Sequence, residues 1–253
     1  MATSGTITFN PTVEEIITEA LGIVNAVEAG EAPSAVDTAT ALTHLEGMLK
    51  GWGRSGIKLW AQDDAALFLT AGQVSYTIGA GGAANATASY VSTTLSADEA
   101  SGQTVISVTS EAGISVADQI AVRLDDGTLH WTTVASLGVL TLADALPSAA
   151  ASGALVYAYT TALHRPGKVL DVRRLNAASG VETPLEAIGR KDYMAQSNKT
   201  TTGEPVMVYY EPTLGSGELF VWPAPNSTGT IIRFTSLRPL EDADVVSDRK
   251  SVV

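Results

Sequence analysis

The chain contains no cysteine among its 253 residues, so disulfides, thiolate nucleophiles and cysteine-ligated metals are excluded outright. Synthesis in a reducing cytoplasm fits that composition. Histidine is nearly as scarce: His44, His130 and His164 are the only three, and none stands in a recognisable catalytic frame. Bases are also short, with 15 Lys and Arg against 27 Asp and Glu, a formal net charge of −12. That balance argues against a sequence-reading nucleic-acid binder, whose footprint is a basic patch that releases counterions from phosphates. No stretch approaches the roughly eighteen uninterrupted apolar residues of a membrane helix. The start MATSGTITFN lacks the basic-then-apolar order of a signal peptide. The expectation is a protein that neither spans a membrane nor is exported by that route.

The few bases are unevenly placed. Residues 164–253 hold eleven of them against eleven acids, whereas residues 84–163 hold seven acids and only Arg123, and residues 1–60 hold seven acids against three bases. The excess acid therefore lies upstream, where it reads as solvated, solubilising faces, with a surface that repels DNA sliding past it as the alternative.

The length suffices for one large or two modest cores. The spacing predicts a helical hairpin over residues 1–60. Thr12-Val13-Glu14-Glu15 is a capping-box pattern, followed by Ile17, Leu21, Val24 and Val27 at helical spacing. Glu28 to Pro33 interrupts the period, and Ser34 with Asp37 caps a second helix carrying Ala39, Leu42, Leu45, Leu49 and Trp52. Lys50 and Arg54 fall in its last turn, where cations meet unsatisfied carbonyls. Two short helices cannot bury both apolar stripes in each other, so they need a sheet or a neighbouring subunit to pack on.

From Ile57 the pattern turns to alternating and β-branched runs, and Gly79-Ala80-Gly81-Gly82 is a flexible exit without the ending of a phosphate loop. Residues 84–163 read as an inserted all-β module. Its clearest element is the hairpin Ile120 to Val134, in which Asp126-Gly127 supplies the positive φ angles of a tight turn; Val105–Val108, Val139–Leu142 and Leu155–Tyr159 are further strands. In the last ninety residues strands are expected near 169–175, 206–210, 219–222 and 230–237, with a short helix within 185–198. The predicted class is α+β: an N-terminal helical hairpin packed with a mainly antiparallel β core (61–83 and 164–253), plus the inserted all-β module.

Chemistry is sparse. Asp125-Asp126 is turn chemistry and Asp63-Asp64 a loop or cap; neither is the paired carboxylate of a glycosidase, because adjacent strand residues point oppositely. Asp242, Asp244 and Asp248 resemble a fragment of a calcium loop without its Gly or terminal Glu. The aromatics Trp60, Tyr76, Trp131, Tyr157, Tyr159, Tyr209, Tyr210 and Trp222 are scattered through predicted strands, where core or rim anchoring is their expected role.

Two regions resemble the head-to-tail adaptor family of short-tailed bacteriophages, related to packaged-DNA-stabilisation and tail-tubular proteins. One is the hairpin, with Glu15 to Gly22, Ala41 to Trp52 and Gly56 to Trp60. The other is the ordered run Arg165-Pro166, Gly189 to Tyr193, Asn198-Lys199, Gly203 to Val206, Tyr209-Tyr210, Leu219 to Pro223 and Arg238 to Asp242. Between them, Thr93 to Tyr159 is similar to a β insertion that longer phage neck and tail proteins carry.

The resemblance implies a virion protein made in the host cytoplasm, with no catalytic residue, cofactor or metal. Its subunits form a ring of about twelve that meets the portal protein above, the tail nozzle or tail tube below, and in some cases tail fibres. DNA passes through without sequence-specific contact. Arg54, Lys58, Arg173, Arg174, Arg190, Lys191 and Lys199 are the candidate interface residues, cations able to pair with acidic surface on the next subunit. The competing readings are a fibre-associated β-recognition module, a virion-carried glycan hydrolase and a cellular carbohydrate-binding protein.

Overall fold

The structure is a computed structural model that describes residues 11–28, 30–54, 62–79, 85–177 and 179–237. It is α+β, with helices at the N-terminal end and mostly antiparallel sheets. The chain divides into two compact units, residues 1–61 with 239–253, and residues 62–238. In chain order the elements are α1 (Val13–Ile23), α2 (Ala35–Arg54), β1 (Gln62–Phe68), β2 (Ser75–Gly79), β3 (Ala86–Thr87), β4 (Val91–Thr94), β5 (Gln119–Arg123), β6 (Leu129–Ser136), β7 (Thr141–Leu142) and β8 (Leu155–Tyr159). Then follow β9 (Lys168–Asn176), β10 (Glu182–Pro184), β11 (Glu186–Ala187), α3 (Arg190–Met194), β12 (Thr202–Gly203), β13 (Met207–Pro212), β14 (Ser216–Trp222), β15 (Ala224–Pro225) and β16 (Thr230–Leu237). No helix among the described residues is long and apolar enough to cross a membrane.

Both helices start where their side chains can satisfy free backbone N–H groups. The Thr12 hydroxyl accepts from the Glu15 amide at 3.1 Å while the Glu15 carboxylate accepts from the Thr12 amide at 2.6 Å, a complete capping box. At α2 the Ser34 hydroxyl accepts from the Asp37 amide at 3.2 Å and donates to the Asp37 carboxylate at 2.6 Å. α1 ends one turn earlier than its apolar spacing predicts. Asn25 takes φ 54°, its N–H bonds the Gly22 carbonyl and the Ala26 N–H bonds the Leu21 carbonyl, so a left-handed cap stops the helix. Val24 is thus the cap residue and Val27 lies beyond it. Val13 and Ile17 are buried against Ala41, Leu42, Leu45 and Leu49 of α2. Replacing Thr12 by Ala is expected to cost about 1 kcal/mol of helix stability, read as lost far-ultraviolet ellipticity, with Thr12→Ser restoring it.

The β-rich unit is layered. One sheet runs β10-β9-β16-β1-β3 and a second runs β11-β13-β14-β2. β1 lies between two packed faces, which is why Ala65 to Leu69 is buried without a break. Ala65, Leu67 and Leu69 join Ile232 and Phe234 of β16 against Tyr76, Ile78, Val208, Leu219 and Val221 of the second sheet. The alternate residues Ala66, Phe68 and Ile231 face the other way, onto Ala121, Tyr157 and Tyr159. Asp63 and Asp64 belong to β1, paired with Ser236 and Thr235, and are neither loop nor cap. The short helix expected within 185–198 is α3, and residues 186–187 before it add a parallel strand to β13.

The third sheet, β4-β8-β5-β6-β7, lies within residues 91–159. Residues 104–109 close it, though as isolated bridges and not as the regular strand predicted there. On one side Ile106 donates to Leu140 and Leu142 to Thr104; on the other Ser96 donates to Ser107 and Thr109 to Thr94. The result is a small barrel with few free edges, filled by Leu95, Ile106, Ile120, Val122, Leu140, Leu142 and Val156. In its hairpin turn Asp126 does not share the positive φ expected of Asp126-Gly127. Gly127 alone has positive φ, at 83°, and donates to the Leu124 carbonyl, while the Leu124 amide bonds Thr128: a three-residue loop ending in a left-handed glycine. Of the expected Val139–Leu142 strand only β7 forms, because Leu137 to Leu140 make the preceding turn.

Candidate functional site

The predicted interface cations fall in several places, and three of them, Arg173, Arg174 and Arg190, have acids of their own chain beside them. On β9, Arg173 Nε lies 3.6 Å from Glu182, an ion contact too long for a hydrogen bond, and Arg233 reaches the same carboxylate at 3.0 Å. Arg174 pairs with Glu204 at 2.8 Å and donates to the Pro205 carbonyl at 3.2 Å. Arg190 pairs with Glu211 at 2.6 Å. Lys199 donates to the carbonyls of Gln196 (3.2 Å) and Met194 (3.4 Å), with its ammonium 5.7 Å from the Tyr193 ring centre. Lys191 is exposed on α3. Arg54 closes α2, and Lys58, like Asp242, Asp244 and Asp248, lies outside the described residues. Apart from Arg174, whose side chain is mostly buried, these partners are exposed to partly buried, a setting in which each pair is worth about 0–1 kcal/mol. A neighbour competing for Arg173, Arg174 or Arg190 has an internal carboxylate to displace.

Two assemblies escaped the sequence reading. One is an aromatic knot between the central sheet and the barrel. Phe68 stands 4.6 Å from Tyr157, 5.1 Å from Tyr90 and 5.5 Å from Trp131, ring centre to ring centre. Alternation in Leu155-Val-Tyr-Ala-Tyr159 was the available signal, since it puts both tyrosines on one face of β8, but nothing in sequence aims that face at β1. The other is an apolar groove of about 440 Å³ between α1 and α2, which also takes in His44. Ile23, Val36 and Trp52 on the same helices are 75%, 75% and 45% exposed, so these helices bury only part of their apolar surface in each other.

His44, His130 and His164 stand on α2, on β6 and in the segment before β9. Among the described residues no group of three or more His, Asp or Glu is placed to hold a metal ion. Apart from Asp126, whose exposed carboxylate is held below its ordinary range by the Thr128 hydroxyl and amide, the perturbed groups are phenols. Burial pushes Tyr159 up to about 12, and Tyr210 up to about 12 against the opposing effect of Arg165. Burial raises Tyr76 and Tyr157 as well. A phenol with a raised folded-state pKa binds its proton more tightly folded than unfolded, so its stabilising effect is full below pH ~10 and is lost as pH rises through about 12. Phenolate absorbance is therefore expected to lag model tyrosine and to rise together with loss of tertiary structure. Ionisation of all seven tyrosines near pH ~10 in an intact fold would contradict the burial.

Comparison with family models, with curated proteins and with solved structures finds no match to this chain.

Proposed function

We propose that this chain is a structural subunit of a tailed bacteriophage: a head-to-tail adaptor that assembles as a ring of about twelve copies between the portal and the tail nozzle or tail tube. The observation that carries the reading is the uncovered apolar surface of α1 and α2, since helices that leave Ile23, Val36 and Trp52 in water are built to be covered on assembly. The residue order from Arg165 to Asp242 supports it. In this reading α1 and α2 form a hairpin that lines or braces the channel, the layered sheets form the wall, and residues 84–163 form an inserted module available to tail fibres.

The task is mechanical. The ring closes the portal after packaging, retains the pressurised genome and passes it outward on ejection. The excess of carboxylate suits a wall along which phosphate must slide without sticking. Cofactor, metal and catalytic group have no part in it. The direct test is to package heads without this chain and then add the purified protein. DNA is expected to leak from the unsupplemented heads and to be retained after addition; equal retention in both would remove the adaptor role.

A second reading, a fibre-associated recognition module, draws on Val105, Leu137 and Val139, which are 44%, 40% and 62% exposed on the barrel. It predicts fibre or glycan binding by a monomer or trimer that ignores the portal.

A further inference from the structure

The apolar lining of the groove between α1 and α2 includes Ile16, Ile17, Ala20, Leu21, Leu45 and Met48. Of these only Ile17 is buried, so the groove lies open to water. A groove walled by two helices receives a third, whose side chains at i, i+3, i+4 and i+7 form a matching apolar ridge. The charge around it selects which helix. Residues 11–54 carry seven carboxylates against two bases, Lys50 and Arg54. Asp37 lines the groove, and the exposed Glu19 stands beside Ala20, three residues on from Ile16. On another side of α1, Glu14, Glu28 and Glu31 together line a second depression.

That charge argues against the nearest alternative occupants. A second copy of the same helices brings the same excess of carboxylate, and like charges facing across an interface repel. Residues 239–253 hold four acids against two bases, the same sign again. A duplex is disfavoured on both counts, being anionic and having no apolar ridge. We propose that this groove docks a basic amphipathic helix of a partner protein, with its apolar stripe in the groove and its Lys or Arg side chains toward Glu19, Asp37 and the acidic flank. The inference does not rest on the adaptor reading.

The test uses the full chain and two labelled synthetic helices of about eighteen residues with the same Leu/Ala stripe, one with Lys and one with Glu on the polar face. Fluorescence anisotropy is expected to show the Lys peptide binding at least about tenfold more tightly, with the preference shrinking as salt rises. Ala20→Trp, at an exposed position that fills the groove, is expected to abolish binding with helicity unchanged. Thr43→Trp, at an exposed α2 position outside the groove lining, is expected to leave affinity within about twofold. Equal affinity for both peptides, no binding, or loss in both Trp variants overturns the proposal. So does self-association that Ala20→Trp removes, or binding that appears only when residues 239–253 are deleted; these outcomes assign the groove to a second copy or to the chain's own segment. DNA retention by an Ala20→Trp variant that no longer binds the peptide would leave the adaptor reading standing and separate the two claims.

Discussion

Replacing Phe68 by alanine is expected to lower the unfolding free energy by about 4 kcal/mol, and to do so for the barrel and the central sheet together. Phe68 is 1% exposed, lies on β1 of the central sheet, and has its ring against Tyr157 and Trp131 of the barrel and against Tyr90. Truncation removes the transfer free energy of a benzyl group, leaves a cavity among rings that cannot collapse, and deletes aromatic pairs worth about 0.5–1.5 kcal/mol each. The knot is shared, so a single urea transition should move to lower denaturant as a whole, followed by tryptophan fluorescence and by far-ultraviolet ellipticity. A loss below about 1.5 kcal/mol, or two separated transitions, would show that the barrel and the sheet do not share a core.

Gly217→Ala is the other large effect expected, about 2–3 kcal/mol, and here the cause is overpacking. A Cβ at Gly217 would meet the Tyr210 hydroxyl and lie 2.6 Å from Cε2 and Cζ of its ring. The ring has little room to retreat, because the Tyr210 hydroxyl donates to the Pro166 carbonyl at 2.6 Å and the side chain packs against the core of the two sheets. β13 and β14 place Tyr210 opposite Leu219, so its ring lies diagonally over the glycine two residues away. Tyr210→Phe keeps the ring and loses only the hydrogen bond, about 1 kcal/mol. Tyr210→Ala should make Gly217→Ala nearly neutral. Thermal or urea unfolding of the four variants measures that coupling, and additivity within about 0.5 kcal/mol would refute the contact.

What the sequence disclosed and withheld follows from the range of each interaction. Helix starts were legible because a cap is a contact over three residues, and both Thr12 with Glu15 and Ser34 with Asp37 make it. The end of α1 was misplaced because apolar spacing runs on through Val24 and Val27, while the stop comes from Asn25 in a left-handed conformation that the spacing does not record. Asp63 and Asp64 misled through their polarity; they open a strand whose partner, residues 235–236, lies over 170 positions away, with the Thr235 hydroxyl donating to Asp64 at 3.0 Å.

For the candidate site, the sequence supplied a cluster of cations but not the carboxylates that fold back on them. Glu182 serves Arg173 and Arg233, and Glu204 and Glu211 hold Arg174 and Arg190. The helical groove was half visible, as two apolar stripes too wide to satisfy each other. Its acidic setting was visible too, in the charge count of the first sixty residues. Missing was the placement of Asp37 and His44 at the groove, which depends on how α2 is turned against α1.

The adaptor account is tested most directly by native mass spectrometry of the purified chain, alone and mixed with its cognate portal ring. The account predicts a portal complex carrying about twelve copies of this chain. A monomer or trimer that persists in the presence of the portal, with no complex at any ratio, would contradict it.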